Sequence, residues 1–151
     1  RFDPVNAGHL DIVKRASRLF DEIIIAVFDA PEKRTMFSTA ERVSMFQNSI
    51  NGIENVQVKS FDGLIVDYAR SQNAKAIVRC IRMNAEFEYE FEMAHMWRNL
   101  TPDIDVVCMM SALEYQFVYA SRIKEVAKLG GNVDNLIPNN VSNALKIKLK
   151  K

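Results

Sequence analysis

The chain offers little to a highly charged partner, a membrane or a metal. Its 20 basic and 19 acidic side chains nearly cancel over 151 residues. No basic excess exists to neutralise a nucleic-acid backbone, so any phosphate must be held by a few focused groups. Only two cysteines occur, Cys80 and Cys108. They cannot make a disulfide framework, and a reducing, cytoplasmic setting is the plainer expectation. Two histidines beside two distant cysteines predict no zinc site built from the protein. No apolar run approaches the length of a membrane span, and nothing at the start reads as a signal peptide. Internal repeats, linkers and low-complexity segments are also missing. What is plentiful is apolar residues, at 48%, enough for one domain with a proper core over residues 1–151.

Strand and helix patterns alternate. The β-branched run at Glu22–Phe28 predicts a strand covered on both faces. Ser38 with Glu41 forms a capping box that starts a helix reaching about Ile50. A short strand at Asn55–Val58, a helix at Leu64–Ser71, a strand at Lys75–Arg79, a long helix at Ala85–Leu100 and a strand at Ile104–Met110 follow. A helix near Ser121–Leu129 stops at Gly130-Gly131, and a last short helix follows Pro138. This order predicts an α/β fold with a doubly wound parallel sheet. Ligands of such sheets sit beyond the carboxyl ends of the strands. Lys33, Phe61 to Leu64, Arg79 and the Tyr115–Ser121 segment all fall at such ends.

Phe2-Asp3-Pro4-Val5-Asn6-Ala7-Gly8-His9 is the most informative stretch. A turn is followed by Gly-His, and then by apolar residues at helical spacing: Leu10, Ile12, Val13, Ala16, Leu19 and Phe20. Gly8 and His9 therefore belong to the first turn of a helix, where free N–H groups and the helix dipole favour a phosphate. Gly8 permits close backbone approach, and His9 adds a donor for a developing negative charge. Arg79 closes the apolar run Ala76-Ile77-Val78 and needs an anionic partner, either a ligand phosphate or a carboxylate. On the helix that follows, Glu86 pairs in register with Glu90 and Glu88 with Glu92, so at most one pair faces a site. Cys80 reads as a small apolar residue at a strand end, and His95 as a packed or interface histidine.

These residues carry a resemblance. The chain resembles the bacterial phosphopantetheine adenylyltransferases, within the HxGH nucleotidylyltransferase superfamily, over essentially its whole length. The matches are Phe2-Asp3-Pro4, Gly8-His9, Lys33, Phe61-Asp62-Gly63-Leu64, Arg79-x-x-Arg82, Phe87-Glu88-Tyr89-Glu90, Met109-Met110 and Lys124-Glu125-Val126. The resemblance implies a Rossmann-like single domain that joins ATP to 4′-phosphopantetheine, giving 3′-dephospho-coenzyme A and pyrophosphate in coenzyme A biosynthesis. It implies that His9 donates to the α-phosphate in the transition state. Arg1, Lys33, Ile65 and Arg79 would meet phosphopantetheine, with Arg34 beside Lys33 as the alternative if register slips by one. The ATP site would comprise Arg1, Phe2, His9, Cys80, Ile81, Arg82, Glu90, Tyr115, Gln116, Phe117, Val118, Tyr119, Ala120 and Ser121. Magnesium would arrive with the ATP phosphates rather than on protein ligands. Assembly would be a homo-hexamer, a dimer of trimers, and coenzyme A a further ligand.

The chain departs from the family pattern at several points. The family has a short strand ending in Gly before FDP, whereas only Arg1 precedes Phe2 here, so the expectation is either that the natural first residues lie outside this chain or that the strand is missing. Asn6 stands for Thr or Ser, and Cys80-Ile81 for Gly-Leu. Tyr119-Ala120-Ser121 stands for three serines, Trp97 for Asn, and Arg1 for a small hydroxyl residue. At Cys80 the added Cβ is expected to crowd the nucleotide or to demand a strained φ. Two other readings stay open. One is a related transferase acting on another phosphorylated acceptor, such as nicotinate mononucleotide or glycerol phosphate. The other is a nucleotide- or coenzyme-A-binding protein of low turnover.

Overall fold

A computed structural model describes residues 1–29 and 34–150. The chain forms two compact units. One comprises residues 1–60 with 117–151, the other residues 61–116.

In the first unit, α1 (Ala7–Ala16) buries Gly8, Ile12, Val13 and Ala16. Sequence spacing extends this helix to Leu19 and Phe20, but it stops at Ala16, and Leu19 is 68% exposed. The cause lies in Asn55. Its Nδ2 donates to the carbonyls of Ser17 and Phe20, both at 2.9 Å, and so satisfies the helix end in place of another turn. Strand β1 (Ile23–Phe28) pairs with β2 (Val56–Phe61), and α2 (Thr39–Ser49) lies between them in sequence. The Ser38–Glu41 capping box is present, with Glu41 N–H on Ser38 Oγ at 3.2 Å and Ser38 N–H on Glu41 Oε2 at 2.7 Å. β2 starts one residue later than its pattern suggests and runs on to Phe61, while the Asn55 carbonyl still accepts from Ile23 N–H at 2.9 Å.

In the second unit, α3 (Ile65–Ser71) precedes β3 (Ala76–Ile81), α4 (Asn84–Leu100) and β4 (Asp105–Met110). β3 and β4 are parallel, in register from Ala76 opposite Asp105 to Ile81 opposite Met110. The α4 crossover that joins them is the unit of an α/β fold. This ladder carries β3 two residues beyond Arg79, so Arg79 lies within the strand and not at its end. The unit's core is Val66, Ala69, Ile77, Trp97 and Ile104, with Ile65, Ala74, Met93 and Val106 packed against it. A short 3-10 turn at Leu113–Tyr115 follows β4.

The first unit closes with α5 (Ala120–Lys128) and α6 (Asn139–Leu149). Gly130, at φ +83°, ends α5 in the left-handed conformation that glycine adopts without a Cβ penalty.

Candidate active site

His9 occupies the third position of α1, and the helix start holds it from two sides. Asn6 Oδ1 accepts from His9 N–H at 3.1 Å, and His9 Nδ1 accepts from Asn6 N–H at 3.2 Å. The histidine thus fills the place that Glu or Gln takes in a capping box. Because Nδ1 accepts, the neutral ring carries its proton on Nε2, the tautomer able to donate to a phosphate oxygen. The Phe2 ring meets the imidazole edge-on at 4.9 Å and meets Phe46 in the same way at 4.8 Å. Asn6 is fully buried, and its Nδ2 has no hydrogen-bond partner among the described residues.

Asp3 anchors the turn ahead of this helix. It is 6% exposed, and its carboxylate accepts from Met36 N–H and Phe37 N–H at 3.0 Å each and from Lys124 Nζ at 2.5 Å. Burial pushes the Asp3 carboxyl up, but Lys124 and the two backbone N–H groups outweigh it and hold the group below its usual range. Arg42 is 1% exposed, and its Nη1 donates to the carbonyls of Arg1 and Phe28 at 2.8 and 2.9 Å. Its Nη2 reaches Thr39 Oγ1 at 2.7 Å. The roles of Asp3, Lys124 and Arg42 were missed by sequence reasoning. The signal for Arg42 was available: it falls on the same helical stripe as the buried Met45 and Phe46.

At the start of α5, Tyr119 occupies the N-cap without a side-chain cap bond, and the Arg122 guanidinium lies over its ring at 4.7 Å. Ser121 and Phe117 are exposed. Val118 is 1% exposed and belongs to the core.

The second unit gathers the remaining candidates as two arginine–carboxylate pairs. Arg79 Nε donates to Glu90 Oε2 at 2.7 Å and its Nη2 to Glu90 Oε1 at 2.6 Å, a bidentate grip. Burial alone pushes the Arg79 guanidinium down, yet the hydrogen bonds and charge of Glu90 raise it above its ordinary value, so it stays cationic. Glu90 is 7% exposed, and both its oxygens serve Arg79. Arg82 pairs with Glu86 through its backbone N–H at 2.9 Å, Nε at 3.2 Å and Nη2 at 3.0 Å. The Glu86/Glu90 register therefore faces the arginines, while Glu88 and Glu92 are exposed. Ile81 is 4% exposed and pairs with Ser111 through its carbonyl at 2.9 Å, so its side chain is core. Ile65 packs on that core as well.

Cys80 sits in regular strand, outside the left-handed region, so the strain expected there does not exist. Tyr115 ends the 3-10 turn, and Gln116 caps it. Lys33 lies outside the described residues, and Arg34 is exposed. Neither Cys80 nor Cys108 forms a disulfide among the described residues. No group of three His, Cys, Asp or Glu side chains comes together to hold a metal among the described residues. No helix of the described residues is long and apolar enough to cross a membrane.

Parallel strands joined through helices, with a Gly-His pair in the first turn of a capped helix, define an α/β domain of the nucleotidylyltransferase class. A cytidylyltransferase-like family model matches residues 1–126. The curated phosphopantetheine adenylyltransferase of Thermomicrobium roseum is 47% identical over 99% of this chain and 91% of its own length. Its counterpart in Clostridium novyi is 44% identical over 93% of this chain and 87% of its own length. One from Dehalococcoides mccartyi reaches 48% over 99% of this chain and 94% of its own. The chain belongs to the phosphopantetheine adenylyltransferase family.

Proposed function

We propose that the chain transfers the adenylyl group of ATP to 4′-phosphopantetheine. An oxygen of the acceptor phosphate attacks the α-phosphorus of ATP. A new P–O bond forms, the α–β bridging P–O bond breaks, and pyrophosphate leaves with its magnesium. The nucleophile is already anionic, so no base is needed; the reaction requires alignment and stabilisation of charge at phosphorus. His9 Nε2–H donates to the α-phosphate, and Arg79 holds the acceptor phosphate.

The observation that carries this reading is the pinned imidazole, whose Nδ1 accepts from Asn6 N–H at 3.2 Å and so reserves the proton for Nε2. Arg79 supports it. Two of its five N–H groups serve Glu90, which leaves three on a half-buried guanidinium for an anion. Magnesium belongs to the nucleotide substrate and needs no protein cluster. We place the enzyme in the cytoplasm, in line with two cysteines that form no disulfide among the described residues. We also assign assembly, as a homo-hexamer, to the exposed stripe of α4 that carries Phe87 and Phe91, which are 49% and 55% exposed and stack at 5.9 Å.

The test is pyrophosphate release from magnesium-ATP with and without 4′-phosphopantetheine, beside a His9→Ala variant. Release that depends on the acceptor and collapses in the variant supports the reading. Release driven equally by nicotinate mononucleotide or glycerol phosphate overturns the choice of acceptor. Thermal stabilisation by ATP or coenzyme A without any release overturns the transferase itself.

A further inference from the structure

We infer that Trp97 is a positioning residue for the acceptor phosphate: its indole fixes the plane in which Arg79 offers its remaining N–H groups. The inference rests on the proposed role of Arg79.

A bidentate carboxylate holds a guanidinium along one edge. It leaves the group free to tilt about that edge, as a leaf about a hinge. The tilt is blocked here by Trp97, whose ring lies 5.4 Å from Arg79 Cζ. Glu90 and Trp97 are seven residues apart on α4, two turns along one face. One helix face therefore supplies both the edge contact and the face contact. Met93, between them on the same stripe, packs against the core and fills the gap. Trp97 cannot drift, because it is 9% exposed, belongs to the Val66–Ala69–Ile77–Ile104 cluster, and accepts from Thr101 N–H through its carbonyl at 2.8 Å.

The consequence is an arginine oriented before its anion arrives. Nη1 and the outer N–H of Nη2 point away from Glu90 in one fixed plane, the geometry that suits two oxygens of a phosphate monoester. A core tryptophan with no such role would be replaced by another large apolar residue without effect on acceptor affinity. A positioning tryptophan needs a π-face.

Trp97 is also the sole tryptophan of the chain, so its emission reports directly on the guanidinium above it. In the unmodified protein, 4′-phosphopantetheine is expected to shift the emission saturably, whereas pantetheine, which lacks the phosphate, is expected not to. Trp97→Phe keeps a ring and should leave the KM for the acceptor within about threefold. Trp97→Leu removes the ring and should raise that KM about five- to thirtyfold, the range set by a partly desolvated cation–π contact. The KM for ATP and kcat should stay within about twofold in both variants, because only ground-state acceptor binding is touched.

Equal KM in the Phe and Leu variants, an effect that falls on kcat or on ATP, or an equal emission shift with pantetheine would each overturn the inference. An Arg79→Met variant separates this outcome from failure of the parent reading. If Arg79→Met leaves the acceptor KM unchanged, the role of Arg79 itself is wrong. If it raises the KM while Trp97→Leu does not, only the role of Trp97 falls. Should Trp97→Leu not fold, the emission titration of the unmodified protein and of Arg79→Met still decides the matter.

Discussion

Replacing Asp3 with Asn tests the anchor beneath the His9 helix. The wild-type carboxylate accepts three bonds, from Met36 N–H, Phe37 N–H and Lys124 Nζ, on a side chain 6% exposed. An amide keeps the shape but has one acceptor oxygen. If that oxygen faces Lys124 and Met36, the NH2 group confronts Phe37 N–H, donor against donor; the reverse placement is worse, since it opposes two donors. Lys124, with a side chain 24% exposed, also loses its counter-charge. Breaking a buried pair from one side costs about 3–5 kcal/mol, against a total stability of about 5–15 kcal/mol for an ordinary domain. Urea unfolding at pH 7 should show that loss as a lower midpoint at unchanged m-value. A pH series adds a second check. The folded Asp3 carboxyl lies below its ordinary value of 3.8. Its contribution is therefore fully present above that value and is lost as pH falls through the lower, folded value. The gap between wild type and Asp3→Asn should be flat at neutral pH and shrink below pH 3.8. A loss under about 1 kcal/mol at pH 7, the worth of a rim contact, or a gap that persists unchanged into acid, would refute the reasoning.

Other perturbations probe the remaining links. His9→Ala should lower kcat about a hundredfold or more, the usual result of losing a preorganised donor, while the far-ultraviolet spectrum stays native; a drop of less than about tenfold would sink its catalytic role. Asn6→Ala removes the side-chain acceptor for His9 N–H and should cost about 1 kcal/mol in thermal unfolding. Asn6→Ser should recover most of that, and equal losses in the two would argue against the cap. At Gly131 an added Cβ would stand 2.4 Å from Val126 Cγ1 and 3.2 Å from the Val126 carbonyl oxygen. Gly131→Ala should therefore destabilise by about 1–3 kcal/mol, as overpacking does. Adding Val126→Ala should relieve part of that cost, and a double variant no better than the single would show that the clash is not the cause.

The elements of this fold were legible in the sequence because each is dictated by neighbours a few residues away. Ser38 and Glu41 announce the start of α2, Gly130 announces the end of α5, and β-branched runs alternate with helical spacing as parallel crossovers require. The placement of Gly8 and His9 in the first turn of α1 followed from the same local logic. So did the register that puts Glu86 and Glu90 on one face. Boundaries failed where a distant group intervened. Asn55 ends α1 from 38 residues away, and the β3–β4 ladder carries β3 past Arg79.

What only the tertiary structure decided is which charge meets which. Spacing showed that Arg79 needs an anion, but not that Glu90, 11 residues on, would take both Nε and Nη2. Asp3 and Lys124 are 121 residues apart, and nothing local couples them. The stripe shared with Met45 and Phe46 turns Arg42 inward, but not even that spacing tells that its guanidinium meets the carbonyls of Arg1 and Phe28. The physical reason is one of range. Caps, turns and hydrogen-bond ladders draw on groups that chain connectivity already holds close. A buried ion pair or a ring under a guanidinium exists only once packing has excluded water around both partners, and that is a property of the folded chain.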